Sequence, residues 1–184
     1  MINNLINILI NTYPEAECSL NFTNPLELLI SVILSAQSTD AKINKLTPKL
    51  FERFKTANDY AECDLSELEE YVKSSGFYKN KAKNIILCCK DLIDRFSGVV
   101  PSSFEDLVSL AGVGPKVADC IMLFGYHNGD SFPVDTWIEQ MYNHHFSPLS
   151  NREQIRKNLV EMFGELSGFA QQYLFYYTRE NLKK

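Results

Sequence analysis

Leu110-Ala111-Gly112-Val113-Gly114-Pro115-Lys116 is the stretch on which the fold turns. Two glycines around one apolar residue let the backbone turn tightly and approach a ligand closely, and proline suits the first position of a helix, so this segment should join two helices. Ser102 with Glu105 forms a capping box for the helix before it, which carries Leu107 and Leu110. The free amides of Gly112, Val113 and Gly114 would point outward, and a helix start with exposed amides holds an anion such as a phosphate without net positive charge. An ordinary helix-helix turn has the same composition. Lys116 sits in the first turn of the second helix, where the positive end of the macrodipole disfavours an ammonium ion and helps a partly buried lysine become a neutral, nucleophilic amine. A solvated lysine is the plainer alternative.

Nineteen positions beyond Lys116 stands Asp135, within Phe132-Pro133-Val134-Asp135-Thr136-Trp137. Pro133 stiffens the approach, and aspartate is a good N-cap for a helix running on through Ile138 and Met141. A carboxylate held there should stay ionised, able to stabilise a cationic transition state or to accept a proton, or it does nothing but cap.

The rest of the chain is written in helix signals. Asn24-Pro25-Leu26-Glu27 supplies a cap, a first-turn proline and a capping-box glutamate ahead of the apolar stretch Leu28 to Leu34. Ser38, Thr39 and Asp40 start a second helix that Pro48 should kink or end. Asp64 to Ser74 is a short helix stopped by Gly76. Ala82, Ile85, Ile86, Cys89, Leu92, Ile93 and Phe96 recur at spacings of three and four, an amphipathic helix with Gly98 past its end. Ser150 with Glu153 caps a helix that Gly164 stops, and Ser167 caps the last, to about Asn181. No alternating strand of useful length appears, so the expectation is an all-α fold of nine or ten helices.

The 184 residues allow one domain or two small lobes, and 45% hydrophobic against 22% charged residues implies a packed core. Eighteen Lys and Arg against 23 Asp and Glu give a net charge of −5, which excludes nucleic-acid binding through bulk positive charge. The five cysteines (Cys18, Cys63, Cys88, Cys89, Cys120) are odd in number and contain no C-x-x-C, so reduced thiols are expected rather than a disulfide framework or a zinc site. Leu28 to Leu34 is too short to cross a bilayer and no basic leader precedes it, so a cytosolic protein with no membrane partner is expected.

Leu110 to Lys116 followed by Pro133-Val134-Asp135 resembles the helix-hairpin-helix and Gly-Pro-Asp loop of the DNA glycosylase superfamily that contains endonuclease III and 8-oxoguanine DNA glycosylase. The resemblance extends over nearly the whole chain. It implies a two-lobed helical fold with a DNA-binding cleft, one lobe from about 24 to 130 and the other from 1–23 with 131–184. It also implies that Lys116 attacks C1′ of a flipped-out damaged nucleotide while Asp135 assists, and that a Schiff base then permits β-elimination. Leu34-Ser35-Ala36-Gln37-Ser38-Thr39-Asp40 is similar to the endonuclease III segment whose glutamine fills the gap left by the flipped base. Gly76-Phe77-Tyr78-Lys79 matches the loop that wedges an apolar side chain into the duplex, which makes Phe77, with Tyr78, the expected wedge. Lys116-Val117-Ala118-Asp119-Cys120 and Gly168 to Phe175 look like 8-oxoguanine DNA glycosylase instead. There the residues matching Cys120 and Phe175 sandwich the extruded base and the one matching Gln171 bonds its Watson–Crick edge. Core packing of Cys120 and Phe175 is the competing reading.

The chain also departs from these families. Trp137 stands where both commonly carry a histidine near a phosphate, and Ala111 replaces the usual hairpin proline. No cysteine follows Cys120, so no iron–sulfur cluster, no other cofactor and no metal is expected. A smaller branch of 8-oxoguanine glycosylases uses a C-terminal lysine carboxylate in the pocket, a role open to Lys184, although two terminal lysines are more often a frayed end. The resulting expectation is a monomeric bifunctional glycosylase/lyase acting on double-stranded DNA with a damaged base or abasic site, cytoplasmic or nucleoid-associated. 8-Oxoguanine ranks first as substrate and an oxidised pyrimidine second. A helix-hairpin-helix module that binds DNA without chemistry is the alternative of a different class.

Overall fold

The computed structural model describes residues 7–8, 11–13 and 17–182; Lys184 lies outside them. From Pro25 onward the described chain is helical, with no strand. No helix among the described residues is long and apolar enough to cross a membrane. Two compact units are formed, one from Ser19–Ile121 and one from Met1–Cys18 with Met122–Lys184.

In the first unit, α1 (Pro25–Ser35) buries every residue from Leu28 to Leu34. Its cap is reciprocal across two residues: the Glu27 amide donates to Asn24 Oδ1 at 3.0 Å, and the Glu27 carboxylate accepts from the Thr23 amide at 2.7 Å. The box therefore closes one residue before the cap, satisfying one orphan donor of the first turn and the amide that precedes the cap. α2 (Asp40–Arg53) continues past Pro48, so the helix does not end there. Proline removes one ladder bond at a cost of about 3 kcal/mol, but Ile43, Leu46 and Leu50 are buried on both sides of it, each contributing roughly 1.5–3 kcal/mol. Burial wins, and the exposed ring of Pro48 stays on the solvent side.

α3 (Ala57–Glu62) carries a complete capping box between Thr56 and Asp59. α4 (Leu65–Val72) passes into a 3₁₀ turn, Lys73–Ser75, that ends at Gly76 with φ 72°. α5 (Tyr78–Phe96) is the long amphipathic helix, burying Ala82, Ile85, Cys88, Cys89 and Leu92 along one stripe. α6 (Phe104–Val108) is capped by Ser103, which accepts from the Asp106 amide at 3.2 Å, one residue later than the Ser102/Glu105 box expected. Ser103 lies closer to the apolar Leu107 that must face inward, so the register of burial selects it. α7 (Pro115–Cys120) follows the glycine hairpin, and a π-helical turn spans Ile121–Gly125.

The second unit is built on α8 (Thr136–His145), α9 (Arg152–Phe163) and α10 (Ser167–Asn181). Its core joins Phe132, Val134, Ile138, Met141, Ile155, Leu159, Phe163 and Ala170. α9 is capped by Asn151, whose Oδ1 accepts from the Glu153 and Gln154 amides, not by Ser150. Ser167 is the first residue of α10, with its hydroxyl turned back to the Gly164 carbonyl at 2.6 Å, because the 3₁₀ turn Gly164–Leu166 leads straight into the helix and leaves no extended capping position. Cys63, Cys88 and Cys89 are free thiols.

Candidate functional site

The hairpin between α6 and α7 is a tight turn. Contrary to the expectation of a free, outward amide at Val113, that amide donates to the Leu110 carbonyl at 3.2 Å and Val113 is buried, because the tight turn closes on it. Gly112 has φ 77°, a conformation that costs any side chain, and a Cβ there would lie 3.0 Å from Asn84 Cβ on α5. Gly114 is different: its φ is −94° and a Cβ would meet nothing. Both glycines are exposed, so backbone is presented to solvent on either side of the buried valine. Pro115 takes the first position of α7, and Lys116, the second residue, is half-buried. Cys120, one turn on, is buried on the same face.

Two further segments of this unit carry expected DNA-contacting residues. Gln37, just past the end of α1, is exposed with φ 54°. Phe77 precedes α5 with φ 48° and is 68% exposed, while Tyr78 is half-buried. A large aromatic in the left-handed region and out in solvent is neither a core residue nor a relaxed turn. Phe77 is therefore not a core aromatic.

Sequence reasoning missed Lys81. It is only 6% exposed, and its Nζ donates to the Leu34 carbonyl at 2.9 Å and the Ser75 carbonyl at 2.8 Å. Burial, with the charge of Lys42 adding to it, pushes its pKa down. The signal was present, since Lys81 lies four residues before Ile85, on the backward extension of the apolar stripe of α5.

In the second unit Asp135 caps α8 as expected. Its Oδ1 accepts from the Trp137 amide at 2.9 Å and the Ile138 amide at 3.0 Å, and both Asp135 and Trp137 are half-buried. The preceding Phe132, Pro133 and Val134 are buried, which fixes where the carboxylate emerges. Gln171 is 6% exposed, and its Nε2 lies 3.5 Å from the Pro133 carbonyl, two residues before Asp135. Phe175 packs partly buried against the unit's core, with the Arg179 guanidinium 5.4 Å from its ring centre. Gln171 is thus drawn to the Asp135 loop rather than solvated.

The sequence profile of the HhH-GPD superfamily, base excision DNA repair proteins, matches residues 30–165. The chain belongs to the HhH-GPD superfamily. Among its HhH-GPD relatives, endonuclease III of Synechocystis sp. is 42% identical over 134 residues, 73% of this chain and 61% of that protein. Endonuclease III of Escherichia coli K12 is 38% identical over 155 residues, 83% and 71% of the two chains. The first two curated relatives are matched over only 61% and 58% of their own length. Among solved structures, a trapped endonuclease III–DNA covalent intermediate superposes with a TM-score of 0.92 at 33% identity, covering 100% of this chain and 87% of that one. The Clostridium acetobutylicum 8-oxoguanine glycosylase/lyase bound to double-stranded DNA with cytosine opposite 8-oxoguanine gives 0.73 at 33% identity, covering 88% and 61%.

These relatives overturn one expectation and leave another unconfirmed. Endonuclease III proteins normally carry a four-iron, four-sulfur cluster, so the expectation of a cofactor-free protein, drawn from the lack of cysteine after Cys120, is corrected. The described residues do not fit that group. No three of their His, Cys, Asp or Glu side chains gather to hold a metal ion, and burial pushes the Cys88 thiol up to about 12 and that of Cys89 higher still, whereas a cluster is held by thiolates. The preference for 8-oxoguanine is left unconfirmed by these matches, which the endonuclease III alternative fits better.

Proposed function

We propose that this HhH-GPD protein is a bifunctional DNA glycosylase and abasic-site lyase of base excision repair, with oxidised pyrimidines as its substrate class. The observation that carries the proposal is the hairpin with its lysine: exposed Gly112 and Gly114 about a buried Val113, and Lys116 half-buried in the first turn of α7. Backbone presented this way fits a DNA phosphate and positions the duplex, a role open to a chain of net charge −5. The overlap with a trapped covalent endonuclease III–DNA complex supports a covalent route.

In that route the Lys116 amine donates its lone pair to C1′ of the extruded nucleotide, and the base leaves with the electrons of the glycosidic bond and a proton. Positive charge develops on the sugar as that bond breaks, and the Asp135 carboxylate stabilises it. Ring opening gives an imine between Lys116 and C1′. Loss of a C2′ proton then expels the 3′ phosphate, and water releases the lysine. Gln37 and Phe77 enter the duplex as the base leaves it, Phe77 as an apolar wedge with Tyr78 behind it. Trp137 and the hairpin contact the backbone. Cys120 from one unit, and Gln171 and Phe175 from the other, are the residues proposed to contact the extruded base.

Borohydride trapping on duplexes carrying thymine glycol, 8-oxoguanine or a plain abasic site tests this. A cross-linked band with thymine glycol and the abasic site, lost in Lys116→Gln, is expected. Stronger trapping on 8-oxoguanine would restore that base as substrate, and cutting of the abasic site alone would remove the glycosylase half. Tight duplex binding without any cross-link would leave a binding module.

A further inference from the structure

Lys81 is a buried cation with no carboxylate among the described residues paired to it; its hydrogen bonds go to two main-chain carbonyls. Such an arrangement is costly, because desolvating an ammonium is offset only in part by neutral acceptors, and an apolar side chain would fill the same stripe of α5 more cheaply. The two carbonyls explain what the charge does. Leu34 is in the last turn of α1, three residues before Gln37, and Ser75 ends the 3₁₀ turn two residues before Phe77. Both are carbonyls at helix ends, where no helical amide remains to bond them.

Gln37 and Phe77 each hold a left-handed φ, 54° and 48°. Non-glycine residues persist there only when their surroundings over-determine them. The Gln37 loop has one internal tie, the Ser38 amide to the Ser35 carbonyl at 2.9 Å. Lys81 supplies a tie common to both loops.

We propose that Lys81 is a positioning residue that sets the spacing between the Gln37 and Phe77 loops, so that the gap-filling and wedging side chains enter the duplex as one unit. The inference rests on the DNA contacts given to those two residues above. It adds that the two loops are mechanically coupled in the free protein.

The test is Lys81→Met, which keeps the stem and removes the donors, with Lys81→Arg as a variant that retains them. In single-turnover excision from a lesion duplex, Lys81→Met should be slower by about 10- to 100-fold, as expected of groups displaced by an ångström or so. Borohydride trapping on a single-stranded abasic oligonucleotide, which needs no base extrusion, should stay close to wild type, and Lys81→Arg should recover most of the duplex rate. Adding Lys81→Met to Phe77→Ala should cost little more than Phe77→Ala alone. Equal losses on duplex and single strand would show a merely structural role and overturn the inference. So would a Lys81→Met protein that excises at the wild-type rate while Gln37→Ala and Phe77→Ala are slow. If the wild type excises nothing, the functional proposal fails by itself, and hydrogen exchange in the DNA-free protein decides this one. Lys81→Met should then speed exchange in residues 36–39 and 76–78 together, and a change in neither or in only one segment overturns the coupling.

Discussion

Gly112 and Gly114 look equivalent in sequence, but replacing each with alanine should give opposite results. At Gly112 the left-handed φ of 77° costs an alanine about 1–2 kcal/mol. The new Cβ would also stand 3.0 Å from Asn84 Cβ, which belongs to a rigid helix and must give way by a few tenths of an ångström. That overpacking adds about 1–2 kcal/mol, for a total of roughly 2–4 kcal/mol. In a chain of this size the melting temperature should fall on the order of 10 °C. At Gly114, where φ is −94° and the space is open, alanine should change stability by no more than about 0.5 kcal/mol. Its methyl group would, however, stand off a phosphate from the exposed backbone. Thermal melts followed by circular dichroism, with fluorescence anisotropy on a duplex holding an abasic analogue, separate the two. Gly112→Ala should melt early, and Gly114→Ala should melt normally but bind weakly. Equal melting temperatures for the two variants, or normal binding by Gly114→Ala, would refute the reasoning.

Asp135→Asn should keep the cap of α8, since asparagine caps as well as aspartate, yet lower excision about 100-fold or more, whereas Asp135→Ala should also lose about 1 kcal/mol of stability; melts and single-turnover rates measure both. Pro48→Ala should raise the melting temperature, because it restores a ladder donor in the middle of α2 at an exposed position. Asp59 accepts from the Thr56 and Lys55 amides, which hold its carboxyl below the ordinary 3.8. Its stabilisation is therefore complete above 3.8 and is lost as pH falls through the lower folded value. Asp59→Ala should cost about 1 kcal/mol at neutral pH, and the gap to wild type in urea titrations should close in that acid window.

Local signals carried most of the helices. Pro25, Pro115 and Asp135 mark helix starts that the folded chain uses as written, and of the three-four spacing from Ala82 to Phe96, Ala82, Ile85, Cys89 and Leu92 are buried along α5. Errors came where neighbouring residues offered equivalent chemistry. Ser102 and Ser103, or Ser150 and Asn151, can each cap, and only the inward direction of Leu107 or Ile155 chooses between them. Pro48 was misread because a helix break is a local cost, while the burial of Ile43 and Leu50 that offsets it is tertiary. Lys116 and Asp135 stand out in sequence because glycine and proline punctuate their surroundings. Lys81 does not, since a lysine inside a helix of lysines (Lys79, Lys81, Lys83) looks solvated until its two carbonyl partners, one from a segment 47 residues away, are known.

The central claim is that one amine, that of Lys116, forms the bond to DNA. Borohydride reduction of the reacting complex, followed by nuclease and protease digestion and peptide mass mapping, locates that bond. A sugar adduct on Lys116, with the adjacent cleavage blocked, is predicted. An adduct on Lys79, on Lys83 or on the N-terminal amine, or undiminished cross-linking by Lys116→Gln, would contradict it.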